Sequence, residues 1–115
     1  MLFSENPSEL SEFYEKVFQK KPDMIDNGYY GFLVGQAFLT IGPHDKIKGN
    51  SKQPERLLLN FETDDVQGEF DRISSLSTTV IAKPYPMGEM DGLIATFADP
   101  DGNYFQLMPP WKENK

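Results

Sequence analysis

The sequence predicts an α+β domain made of two βαβββ modules, with curved mixed or antiparallel sheets and the helices on their outer faces. Three observations carry this expectation. Each half of the 115-residue chain holds one amphipathic helical pattern among several short strand patterns. Gly35-Gln36-Ala37-Phe38-Leu39-Thr40-Ile41-Gly42-Pro43 is a faint copy of Gly102-Asn103-Tyr104-Phe105-Gln106-Leu107-Met108-Pro109-Pro110, displaced by 67 residues. Between the halves, residues 43–56 carry almost no apolar side chains and read as a linker. One helix per four strands favours antiparallel sheets with the helix packed on one face of each. The chain therefore reads as a single domain over 1–115, with module 1 at about 1–43, the linker at about 44–56 and module 2 at about 57–110.

The elements follow in order. Met1 to Ser4 is a short apolar strand. Asn6 is placed to cap a helix, Pro7 suits its first position, and Glu9 sits at capping-box spacing. Leu10, Phe13, Tyr14, Val17 and Phe18 form one apolar stripe. Lys20 and Lys21 complement the helix C-terminus, and Pro22 is expected to stop it. A weak strand near 23–26 meets the Asn27-Gly28 hairpin signal. Tyr29 to Val34 and Ala37 to Ile41 complete the module around a Gly35-Gln36 turn.

In the second half, Leu57 to Thr63 is a strand, and Asp64 or Asp65 caps a helix with Val66, Phe70, Ile73 and Leu76 inward. Thr78 to Tyr85 is a strand broken by Pro84 and Pro86, and Met87 to Gly92 reads as a loop. Leu93 to Ala98, the Asp99-Pro100-Asp101-Gly102 turn and Tyr104 to Met108 finish the chain's ordered pattern.

Composition removes several classes. Eleven basic against 18 acidic residues give a net charge of −7, which argues against nucleic acid and is compatible with a cationic guest. The small basic cluster Lys46, Lys48, Lys52 and Arg56 lies in the linker. There is no cysteine, hence no thiolate nucleophile or thiolate metal ligand. No signal-like segment opens the chain and no apolar run is long enough to span a bilayer, so the expectation is a cytoplasmic protein without membrane partners. One histidine, His44, in the linker supports no Ser-His-Asp arrangement. No Gly-rich phosphate loop joins a strand to a helix.

Strand alternation assigns faces. The apolar set Leu57, Leu59 and Phe61 is expected under the helix, leaving Leu58, Asn60 and Glu62 on the opposite, concave face. Tyr104, Gln106 and Met108 share a face in the last strand, matched in module 1 by Ala37, Leu39 and Ile41. A polar residue on such a face needs a hydrogen-bond partner: a neighbour, water or a ligand. Tyr85, Met87 and Met90 flank the Pro- and Gly-rich stretch as a candidate pocket rim, and Trp111 follows Pro109-Pro110. Glu62, Glu89 and Asp91 are the candidate acid–base groups or partners for a cation.

The βαβββ repeat, the helix carrying Phe13-Tyr14-Glu15-Lys16-Val17-Phe18 and the Phe97-Ala98-Asp99-Pro100-Asp101-Gly102-Asn103 turn together resemble the vicinal oxygen chelate superfamily. That superfamily includes glyoxalase I, bleomycin- and fosfomycin-resistance proteins and extradiol dioxygenases. The resemblance covers almost the whole chain. It implies two curved sheets enclosing a cleft, a homodimer, and, in the metal enzymes, ligands from the first and last strands of each module. At those positions this chain has Gln106 where metal enzymes mostly carry Glu, Leu39 as its first-module partner, and Leu58 where they place His. The remaining position falls at or before Met1. A divalent site needs three or four N or O ligands held together.

The expectation is therefore a small-molecule-binding homodimer without a metal or other cofactor, its candidate ligand-binding residues being Leu39, Leu58, Asn60, Tyr85, Gln106 and Trp111. Asn60 and Gln106 would orient an aromatic or cationic guest that Tyr85 and Trp111 stack against. The alternatives are a metal-dependent lyase or dioxygenase with an atypical site around Gln106 and Glu62, and a structural or regulatory dimer without a guest.

Overall fold

Local chemistry explains where each element begins and ends in the computed structural model, which describes residues 1–54, 57–87 and 90–110; for Met87, Met90 and Asp91 only the backbone is described. The chain divides into two units, Met1–Ser51 and Lys52–Lys115.

In the first unit, β1 (Leu2–Ser4) leads into α1 (Pro7–Phe18). The Asn6 side chain makes no capping bond. Instead the Asn6 N–H donates to Ser4 Oγ at 3.0 Å, and Pro7 opens the helix where no N–H is needed. The helix ends earlier than Pro22 because Gln19 turns left-handed (φ +57°) and its N–H donates to the Glu15 carbonyl. Lys20 leaves the helix axis altogether: its Nζ lies 2.7 Å from Asp23 and donates to the Leu33 carbonyl at 3.0 Å.

β2 (Met24–Asp26), β3 (Tyr29–Val34) and β4 (Ala37–Pro43) complete a sheet of order β1-β4-β3-β2, with β1 parallel to β4 and the other pairs antiparallel. Asn27 and Gly28 both take positive φ, the geometry of a tight hairpin turn. Leu10, Tyr14 and Val17 of α1 are buried with Phe32 and Ile41 of the sheet. Phe18 packs edge-on to Phe32 with ring centroids 5.4 Å apart.

The second unit repeats the plan. β5 (Leu58–Glu62) precedes α2 (Val66–Ser74), followed by β6 (Thr79–Met87), β7 (Met90–Ala98) and β8 (Tyr104–Met108), in the sheet order β5-β8-β7-β6. Asp65 caps α2 by accepting from the Gly68 N–H at 3.0 Å. Val66 and Ile73 are buried with Ala95, Phe97, Phe105 and Leu107, and Phe97 stacks between Phe70 and Phe105. Each unit is thus βαβββ, as the sequence predicts.

Three expectations are corrected. Leu76 lies beyond the end of α2 and is 40% exposed, because the helix stops at Ser74. Leu57 precedes β5 and is 81% exposed; only Leu59 and Phe61 of its predicted set turn toward the helix side. Pro84 and Pro86 do not break β6, and Met87 and residues 90–92 of the expected loop lie in strands β6 and β7. β6 is an edge strand, where a missing N–H removes no ladder bond, and its register shifts absorb the extra residues, so the hairpin runs on to the Met87–Met90 pair.

The internal repeat is also re-registered. Ser4 and Thr63 play the same part, each hydroxyl accepting the N–H two residues on, from Asn6 and Asp65. Across the parallel pairs, Leu2 faces Ile41 as Phe61 faces Leu107. Ile41 therefore answers to Leu107, and the counterpart of Gln106 is Thr40, not Leu39. The displacement in these strands is 66 residues, one fewer than the glycine-anchored alignment. Gly35 belongs to a two-residue turn between Val34 and Ala37, whereas Gly102 belongs to a five-residue turn between Ala98 and Tyr104. Leu39 pairs with the fully buried Phe32 and shares its helix-covered face.

This packing predicts that Phe97→Ala lowers stability by about 3–5 kcal/mol, while Leu76→Ala changes it by less than about 0.5 kcal/mol, both read from urea unfolding midpoints. Asp23 gives a pH signature. The Leu33 N–H that its carboxylate accepts, then Lys20, hold its pKa below the usual carboxylate value. Its stabilising contribution is complete above about pH 4 and is lost as pH falls through the lower folded value. Asp23→Asn should therefore flatten the acid limb of the stability profile and leave neutral-pH cooperativity intact.

Candidate functional site

A single carboxylate organises the turn that aims β8. Asp99, 5% exposed, accepts from the backbone N–H groups of Asp101 and Asn103, both at 2.9 Å, and from the Asn103 side-chain amide. The Asp99 N–H donates to the Asn103 carbonyl at 2.8 Å, and Gly102 supplies the positive φ (+79°) the turn requires. This closure fixes the antiparallel register in which Phe97 opposes Phe105 and Thr96 opposes Gln106.

The pairing sorts side chains between two faces. Ala95, Phe97, Phe105 and Leu107 meet the helix side. Thr96 and Gln106 share the other face, and there Gln106 Nε2 donates to Thr96 Oγ1 at 3.2 Å. The parallel neighbour of Gln106 is Asn60, followed by the pairs Leu58–Tyr104 and Glu62–Met108. On the opposite flank Tyr85 pairs with Ile94, and Ala82 with Thr96.

The structure thus brings Leu58, Asn60, Gln106 and Tyr85 onto one face of the second sheet. Asn60 is exposed, Leu58 is 40% exposed and Tyr85 44%, while Gln106 is half-buried. Leu39 is not part of this face: it lies in the other sheet, on the side that α1 covers. Trp111 lies outside the described residues, as does Glu89, and for Met87, Met90 and Asp91 the side chains do.

His44 stands apart in the first unit. Its Nδ1 accepts from the Lys46 N–H at 3.1 Å, and its ring meets Phe3 edge-on at 4.9 Å. Sequence reasoning missed Thr96. The signal was present, since positions 96 and 106 are equidistant from the Asp99–Asn103 turn and hairpin pairing places them opposite one another.

An open pocket of about 390 Å³ lies at the start of α2, between Thr63, Asp65, Val66, Gly92 and Pro109. None of its lining residues belongs to the candidate set. Among the described residues, no three His, Cys, Asp or Glu side chains come together in a group able to hold a metal ion, and no helix is long and apolar enough to cross a membrane.

A family profile described as Glyoxalase/Bleomycin resistance protein/Dioxygenase superfamily matches residues 1–107. The chain belongs to this superfamily. Among curated proteins no sequence matches it significantly. Solved structures share the fold of this superfamily member. A glyoxalase/bleomycin resistance protein/dioxygenase family enzyme from Burkholderia phytofirmans superposes with a TM-score of 0.74 at 20% identity, over 94% of this chain and 93% of that one. The fosfomycin resistance protein FosX from Listeria monocytogenes gives 0.71 at 16% identity, over 96% and 88%. A Vibrio cholerae integron cassette protein gives 0.69 at 22% identity, over 96% and 91%.

The residues do not fit the metal centre that the superfamily's metal enzymes imply. Leu58 presents hydrocarbon where the resemblance places histidine, and the first module offers only the neutral hydroxyl of Thr40 at the position that answers to Gln106. Gln106 is a neutral amide already bonded to Thr96. Because the turn carboxylate sets this whole face, Asp99→Ala should cost about 1–3 kcal/mol and loosen the β7–β8 pairing, seen as faster amide exchange at Phe105 and Leu107 than in the parent protein.

Proposed function

We propose that this superfamily member binds a small organic molecule on the open face of its second sheet without a metal ion, and works as a cytoplasmic homodimer that sequesters or carries its guest. The observation that carries the reading is the composition of one face: an amide held in place by Thr96, an exposed amide beside it, and flanking Leu58, Tyr85, Ile94 and Tyr104. Small-molecule sites combine apolar and aromatic walls with a few placed polar groups, and this face supplies both. An aromatic ring settles against Tyr85 or Tyr104, while Gln106 and Asn60 fix its orientation.

The chain's acidic balance suits a neutral or cationic aromatic guest. Bleomycin resistance, the activity in the superfamily's name that rests on sequestration, is the nearest functional analogue. The solved FosX proteins bear fosfomycin resistance in their names, at identities where only the fold is shared.

Two measurements test this reading together. Purified protein should hold far less than one equivalent of nickel, zinc, iron or manganese by elemental analysis. In a thermal-shift screen of aromatic and cationic compounds, a guest present at 100 times its Kd should stabilise the protein by about 2.7 kcal/mol. A stoichiometric transition metal overturns the metal-free reading, and a screen silent across the whole panel overturns the binding reading.

A further inference from the structure

We infer that Lys20 and Asp23 hold shut a strand-pairing surface on the first sheet: their side chains occupy the backbone groups of Leu33 that would otherwise pair with the same edge of a second copy of this chain.

The backbone sets up the need. β2 covers only part of β3, its pairs being Met24–Gly31, Ile25–Tyr30 and Asp26–Tyr29. The same register carried two residues further puts Pro22 opposite Leu33, and proline has no N–H to give. Val34 pairs with Ala37 across a two-residue turn, so its backbone groups face β4 and those of Leu33 face the outer edge. Left unpaired, such groups are a template for another strand. Ile25 and Leu33, 65% and 52% exposed, would flank that pairing with apolar surface, one on each face by strand alternation.

Two side chains take the place of the missing strand. Asp23 Oδ2 accepts the Leu33 N–H at 2.7 Å, as a facing carbonyl would. Lys20 Nζ donates to the Leu33 carbonyl at 3.0 Å, as a facing N–H would. The two charged groups lie 2.7 Å apart, and the Asp23 N–H donates to the Gly31 carbonyl at 2.7 Å, which keeps the carboxylate beside β3. An ion pair this exposed contributes little through charge alone. Its effect lies in the backbone groups it occupies. The second sheet closes its outer strand by other means, with Pro84 and Pro86 in β6.

Amide exchange and sedimentation test this on the full-length chain at neutral pH. The Leu33 N–H should exchange at least about 10-fold more slowly in the parent protein than in Asp23→Leu, which keeps bulk and removes the acceptor. Asp23→Leu combined with Lys20→Met should form, as concentration rises, species larger than any the parent protein forms. Adding Ile25→Lys, which puts a charge on the same edge, should return the parent's sedimentation. Asp23→Asn, which keeps an acceptor for the Leu33 N–H, should sediment as the parent does.

A Leu33 N–H that exchanges in the parent protein as fast as an unstructured amide overturns the inference, and this result needs no variant to fold. A folded double variant that matches the parent at every concentration also overturns it. So does association that survives Ile25→Lys, or association of Asp23→Asn, since either places the contact on another surface. The guest-binding reading concerns the second sheet and is decided separately by its own screen.

Discussion

The β7–β8 register is the constraint on which the rest of this molecule depends, and one buried carboxylate sets it. Side chains alternate across a strand with a period of two, so a slip of one residue would send Gln106 under α2 and bring Phe105 to the open face. Asp99 opposes this by accepting the backbone N–H groups of both Asp101 and Asn103 on Oδ1, which holds the turn at five residues. The stacked pair Phe97 and Phe105 then rewards the same register from the core side. Turn and core agree, and agreement between local and tertiary preference is what singles out one pairing.

The first unit uses the same plan with different fillings. Gly31 occupies the place of Thr96, and the ring of Phe38 lies over it, where a Cβ would collide. Tyr29 lies over Gly42 in the same manner. Where the second sheet carries a hydroxyl and an amide bonded to one another, the first carries aromatic rings flattened onto glycine. Duplication has thus preserved the helix-side core, with Phe32 and Phe97 both fully buried, and left the opposite faces free to diverge. Hydrogen-bonding capacity has been concentrated in one module.

Much of this was legible in the sequence, for identifiable reasons. The helical stripe of Leu10, Tyr14 and Val17 and the alternation of β5 and β8 depend on burial periodicity, which a sequence displays directly. The Asp-Pro-Asp-Gly-Asn turn was legible because each of its residues has a backbone or capping reason to be there. The failures share a cause as well. Asn6 looks like a cap, yet Ser4 competes for the local backbone. Pro84 and Pro86 look like breakers, yet β6 is an edge strand, a property of topology that no window of residues contains. Aligning Gly35 with Gly102 assumed turns of equal length, and that single assumption put Leu39 in the candidate set.

The exchange of a carboxylate for an amide at position 106 has consequences that follow from elementary electrostatics. A glutamate on this face would carry full charge, attract cations of any geometry and repel the neighbouring Glu62. A glutamine carries none, but it has a donor end and an acceptor end, and its value to a site depends on which end is turned outward. That orientation is information the residue cannot hold alone. A buried threonine one strand away holds one end of that side chain through a single hydroxyl. An uncharged side chain at this position therefore does more than forgo attraction to cations. It leaves a hydrogen-bonding group whose two ends differ in place of a charge that acts in every direction.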